Sequence, residues 1–158
     1  MSAIHVLGCG AKVNVHVDDR RLFYGNIFPD AGLPGDLNIV ILQPGALIAW
    51  HRHQHQTDYL FCVKGSVKVG TETIVEVGVD GSPRTVRDDG PHTLHLQKWR
   101  VLHERNPEIV EIPPNAYHGY MNLSDGESIL LSYNTQHFNP EDEERRMPEP
   151  NEWKAAPR

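Results

Sequence analysis

The sequence predicts an all-β domain, a sandwich, barrel or jelly roll, on three observations. Short segments in which apolar and polar residues alternate recur along the chain, the pattern of strands whose side chains point to opposite faces. Glycine and proline separate them, 13 and 12 residues in a chain of 158, which suits many strands joined by turns. No window of ten or more residues before position 139 carries a helical apolar stripe.

The elements follow in order. Val13, Val15 and Val17 alternate with polar partners. Residues 37–42 form an apolar run bounded by Pro34-Gly35 and Pro44-Gly45. Residues 59–63 and 66–69 flank Lys64-Gly65, which reads as a tight hairpin turn. Val75, Val77 and Val79 alternate before Asp80-Gly81, and residues 80–91, rich in Asp, Arg, Gly and Pro, read as an exposed loop. Residues 95–102, 109–112, 117–122 and 128–133 supply the later strands. The expected organisation is a barrel domain over residues 1–138 and a charged C-terminal extension over 139–158, packed outside it or across a partner. The acidic run Glu141, Asp142, Glu143 and Glu144 reads as a solvated face.

A length of 158 residues suits one domain. With 39% hydrophobic and 23% charged residues, the composition excludes wholesale disorder. A net charge of −6 argues against a nucleic-acid partner, and no apolar stretch approaches the roughly 18 residues of a membrane span. Residues 1–5 lack the basic and apolar regions of a secretory signal. Two cysteines, Cys9 and Cys62, show no redox or metal spacing, so a cytoplasmic location is expected. Cys62 lies in an apolar strand and reads as a buried, inert thiol.

Ten histidines are many for this length. His51 and His53 stand two apart, so on a strand they share a face and can share one cation. Asp58 follows beyond a short connection and can add a carboxylate. His55 continues the alternation and reads as a rim residue. A second segment, Ile112-Pro113-Pro114-Asn115-Ala116-Tyr117-His118, places a lone histidine after a proline turn. The plain alternative is a solvated polar strand end for the first three histidines and a hydrogen-bonded core histidine for His118.

These segments, G-x5-H-x-H-x4-D-x6-G from Gly45 to Gly65 and P-x-N-x2-H-x3-N from Pro113 to Asn122, resemble the two-part cupin signature. Asp58 stands where that family usually has Glu, and Asn115 where it has a turn glycine; Asn also tolerates left-handed backbone. The resemblance implies a double-stranded β-helix jelly roll in which His51, His53, Asp58 and His118 bind a divalent transition metal (Mn, Fe, Ni or Zn). Trp99, Ile112-Pro113, the stretch from His118 to Asp125 and Phe138-Asn139-Pro140-Glu141 are similar to dTDP-4-dehydrorhamnose 3,5-epimerases, cupins that work without metal. Residues 59–69 resemble the related sugar-nucleotide 3,4-ketoisomerases.

That second likeness implies His51 as general base, with Tyr133 as the available phenolic acid. It departs at three positions. The family's phosphate-binding arginine is Ile48 here, its active-site lysine is Asp58, and its glutamine after the base is His53. Arg52 is the only basic residue close to the histidines in sequence. The expectation is therefore a metal-binding cupin enzyme, an isomerase or epimerase acting on a small carbohydrate-derived carbonyl substrate. The alternatives are a metal-free sugar-nucleotide epimerase or ketoisomerase, an iron-dependent cupin dioxygenase and a non-catalytic small-molecule-binding cupin. Likeness to small cupins also implies a homodimer paired through N-terminal strands.

Overall fold

The computed structural model describes residues 13–155. His5 and Cys9 lie outside that range. Two antiparallel six-stranded sheets enclose one core, which is the jelly roll expected. The first sheet runs β1 (Asn14–Val17), β2 (Arg21–Gly25), β3 (Asp36–Leu42), β11 (Ser128–Asn134), β5 (Asp58–Lys64), β9 (Ile109–Ile112). The second runs β12 (Glu143–Arg145), β4 (Leu47–His53), β10 (Tyr117–Asn122), β6 (Ser66–Val77), β7 (Pro83–Val86), with β8 (Thr93–His103) also on β6. Val40, Leu42, Leu60, Val67, Val69, Leu102 and Leu130 fill the space between the sheets. Cys62 is buried with them, and burial raises its thiol pKa.

Two turn residues behave as their chemistry requires. Gly65 turns β5 into β6 at φ 84°, where an added Cβ would lie 2.2 Å from Ser128 Oγ, but the two strands enter different sheets and do not pair as the expected hairpin. Asn115 adopts φ 66° before β10, and its backbone N–H donates to the His53 carbonyl at 2.7 Å. That bond ties the two histidine-bearing segments together.

The expected organisation is corrected in three places. Residues 83–86, inside the expected loop, form edge strand β7, with Pro83 at its first position, where a missing N–H is tolerated. Residues 21–25 form β2, whose unalternating Arg-Leu-Phe-Tyr-Gly leaves both faces partly covered. The C-terminal segment does not simply pack outside. Its strand β12 pairs with β4, Glu143 opposite His53 and Arg145 opposite His51. Helix α1 (Glu152–Ala155) then brings Trp153, 2% exposed, against Trp50 and Trp99 at ring separations of 4.9 and 4.8 Å. The acidic run is accordingly not a free face. Asp142 accepts from the Gln54 and His55 backbone N–H groups, and Glu144 pairs with the buried Arg52.

On the outer face of the first sheet, Tyr24, Ile39, Leu131, Phe61 and Ile109 lie in one row across five strands.

Candidate metal centre

Strict alternation along β4 would put Ile48 and His51 on opposite faces. A bulge prevents that: on β10, His118 faces His51 and Tyr120 faces Ile48, so three steps on β4 match two on β10. Both Ile48 and His51 therefore line the barrel interior. Gly119 makes the close approach possible, because a Cβ there would stand 2.5 Å from Ala49 Cβ and 2.6 Å from the Ile48 carbonyl oxygen.

The structure brings all four sequence-predicted ligands together. His51, His53, Asp58 and His118 each turn one donor atom to a common point, all within 4.8 Å of one another. Ring centroids stand 4.1 Å apart for His51 and His118, and 5.6 Å for His51 and His53. His53, Asp58 and His118 are buried, and His51 faces the cavity. His55 is exposed and outside the group.

Protonation follows from the surroundings. Burial pushes His51 well below its ordinary pKa, aided by His118, His53 and the nearby cations Arg145 and Arg21. Burial also lowers His53, against the attraction of Asp58. For Asp58 burial works the other way, yet hydrogen bonding and charge from His118, with an amide bond from Asn134, hold its pKa below the usual carboxylate value. Neutral imidazoles and an ionised carboxylate are the forms that bind a cation.

The geometry of His118 tests the fit of a metal. Its Nδ1 lies 3.0 Å from the Ala116 carbonyl oxygen, which makes Nδ1 the donor and turns Nε2 toward the other three side chains. That Nε2 is buried and lies 2.9 Å from Asp58 Oδ2. A cation placed among the four side chains would be within reach of both atoms. A ligand histidine donating its other N–H to a backbone carbonyl is also the common arrangement around a bound metal. Three imidazoles and one carboxylate suit Mn, Fe, Ni or Zn.

Sequence reasoning missed the residues that hold Asp58. Gln56 Nε2 and Asn134 Nδ2 both donate to its Oδ1, at 2.5 and 2.6 Å, leaving Oδ2 toward the histidines. Asn38 donates to Asn134 Oδ1 and accepts from the Asn26 N–H. Each amide sits on an inward strand position or turn, and no motif marks it.

Two further expectations are corrected. Tyr133 does not enter the cavity. Its neighbours Ser132 and Asn134 point inward, so its ring lies on the outer face, stacked on Tyr59 at 6.4 Å. The phenol that lines the cavity is Tyr120. Arg52 also faces away from the histidines, bonded to Glu144, while Arg21 and Arg145 are the cavity's cations together with Arg20 at its mouth. The cavity holds about 530 Å³, and polar side chains line it together with Phe23, Val40, Ile48, Leu60 and Phe138.

No protein-family model matches the chain. It is 33% identical over 107 residues, 66% of its length, to Agl13 of Haloferax volcanii, named a probable low-salt glycan biosynthesis epimerase; it spans only 60% of that protein. It is 26% identical over 141 residues to SpsL of Bacillus subtilis, a spore coat polysaccharide biosynthesis protein, covering 87% of this chain and 85% of SpsL. Among solved structures, the capsular polysaccharide assembling protein CapF from Staphylococcus aureus superposes with TM-score 0.60 at 19% identity, over 86% of this chain and 34% of CapF. A dTDP sugar isomerase from Desulfovibrio desulfuricans G20 gives 0.59 at 15% identity, over 92% and 90%. The fold is of the cupin type, and the relatives in sequence belong to sugar biosynthesis.

Proposed function

We propose that this chain is a metal-binding enzyme of the isomerase or epimerase kind, acting on a small carbohydrate-derived carbonyl substrate. The observation that carries this reading is the convergence of one ligand atom each from His51, His53, Asp58 and His118, all within 4.8 Å of one another, at the wall of an open cavity. The sugar-biosynthesis names of the relatives support the substrate class.

His51, His53, Asp58 and His118 would hold the ion. When bound, it supplies Lewis acidity that polarises a carbonyl or enediolate oxygen. The protein's own groups do the rest. Gln56 and Asn134 fix the carboxylate, the Ala116 carbonyl fixes the His118 tautomer, and the polar walls receive hydroxyl groups of a sugar. A metal-free reaction with His51 as base and Tyr133 as acid has less support, because Tyr133 is on the wrong face of β11.

Metal content of purified protein tests the reading, alongside His51→Ala and a solvent-deuterium exchange assay on keto sugars. Near-stoichiometric transition metal in the native protein, lost in the variant, with deuterium entering beside the carbonyl, is the expected result. Full exchange activity without metal would replace this reading by the metal-free one. Bound metal without exchange would favour the dioxygenase or binding-protein alternatives.

A further inference from the structure

Arg21 opens β2, and its guanidinium lines the same cavity. For a side chain only 17% exposed it is poorly partnered. Its Nη1 makes one long hydrogen bond, 3.4 Å to the Tyr120 hydroxyl. Its Nε stands 4.0 Å from Asp18 Oδ2, too far for a hydrogen bond, and among the described residues finds no other partner. Arg20 contrasts with it, since it is engaged by Asp18 at 3.1 Å. Phe23 lies under the Arg21 guanidinium, 5.3 Å from centroid to carbon, covering a face and leaving the donor edge free. Buried donors without acceptors cost free energy that an arriving anion would return.

We propose that Arg21 and Tyr120 form an anchoring subsite for a carboxylate carried by the substrate itself. This rests on the proposed carbonyl chemistry of the cavity and narrows its substrate class to a sugar acid or related oxo acid. The charge around the subsite selects a monoanion. Asp18, although slightly buried, is held at about 2 by hydrogen bonds from Arg20 and Arg21, so it is ionised beside the guanidinium. Glu143, paired with Arg145, lines the same cavity. A doubly charged phosphate would meet these carboxylates, whereas a planar carboxylate matches the guanidinium fork with half the charge. Position supports the link to the reaction. Tyr120 lies two residues beyond His118 on β10, roughly 7 Å along the strand, about the length of a sugar ring.

The experiment is calorimetric titration of D-glucuronate, D-glucose and D-glucose 6-phosphate into native protein and the variants Arg21→Gln, Arg21→Lys, Tyr120→Phe and His118→Ala. Thermal melting checks each fold. Glucuronate is expected to bind native protein at least about ten-fold tighter than glucose, and Arg21→Gln to lose about that factor. Tyr120→Phe loses several-fold, and it decides the matter with Arg21→Lys if Arg21→Gln fails to fold. No preference for glucuronate over glucose in native protein overturns the proposal. So does unchanged binding in the Arg21 and Tyr120 variants, or a preference for the 6-phosphate. Carboxylate preference that survives in a protein holding no metal sinks the metal reading alone; metal held without carboxylate preference sinks the subsite alone.

Discussion

Asn134 stands directly opposite Asp58 across the β11–β5 ladder and donates its side-chain amide to Oδ1 at 2.6 Å. The bond aims the other carboxylate oxygen at His118 and His53. Replacing Asn134 with Ala should lower metal affinity about 10- to 100-fold although no ligand is altered. Competition with a chromophoric chelator measures this, and unchanged affinity would count against the outer residues' role.

Gly119→Ala should act on the centre through the backbone. The new methyl group would collide with Ala49 and the Ile48 carbonyl, forcing β4 away from β10 at the bulge. A cost of about 1–3 kcal/mol is expected, as for other overpacked sites, with weaker metal binding. Urea unfolding of metal-free protein gives the first quantity and chelator competition the second.

Acid should destabilise the metal-free protein in two stages. His51 and His53 have lowered pKa values when folded, so below their ordinary 6.5 the unfolded chain takes up protons that the native state refuses. Asp58 is also lowered, so its contribution, present above 3.8, disappears as pH falls through its folded value. Unfolding free energy should therefore fall from about pH 7.5 through 5.5, go on falling until the native histidines take up their protons, and lose the Asp58 share in stronger acid. A flat profile across the first interval would contradict the histidine environment described.

Trp153→Ala should cost about 3–5 kcal/mol, the range for emptying a buried aromatic site. Trp50 and Trp99 would lose a face each, and the helix its anchor. Denaturant unfolding reads the cost; a loss below about 1 kcal/mol would mean the helix is not docked in solution.

The protein is expected to pair with a second copy through the outer face of the first sheet. The uncharged row from Tyr24 to Ile109 crosses five strands, a width on the order of 24 Å. Such a face is of the scale that a standard interface covers, about 800 Å² on each partner. Light scattering should give a dimer mass, and Leu131→Glu a monomer. A monomeric native protein would refute the pairing.

The four candidate ligands were legible because signature spacing survives any detail of the fold, and because a bulge at Ala49-Trp50 restores the shared inward face that simple alternation from Ile48 would have denied. Most strands were legible for a similar reason: residues 109–112 and 117–122 alternate between a core side and an outer side. What escaped lacks that contrast. β2 is covered on both faces, and β12 is an edge strand of charged residues, which edges favour and which reads as surface. Tyr133 was misplaced because a phenol's side of a strand depends on register, and one step separates Asn134 in the cavity from Tyr133 outside it. Arg21, distant from the histidines in sequence, reaches the site only through sheet order.

Strand β12 also decides where this protein can be cut. A chain stopped after Phe138, at the end of the expected barrel, would strip β4 of its outer neighbour and leave His51 to His53 on a bare sheet margin. Unpaired margins of this kind recruit other chains, so a shortened product should clump rather than merely lose affinity for metal. Tags or fused domains placed at the C-terminus would pull on the strand next to the histidines, whereas insertions at the exposed tip around Gly81 would leave it undisturbed.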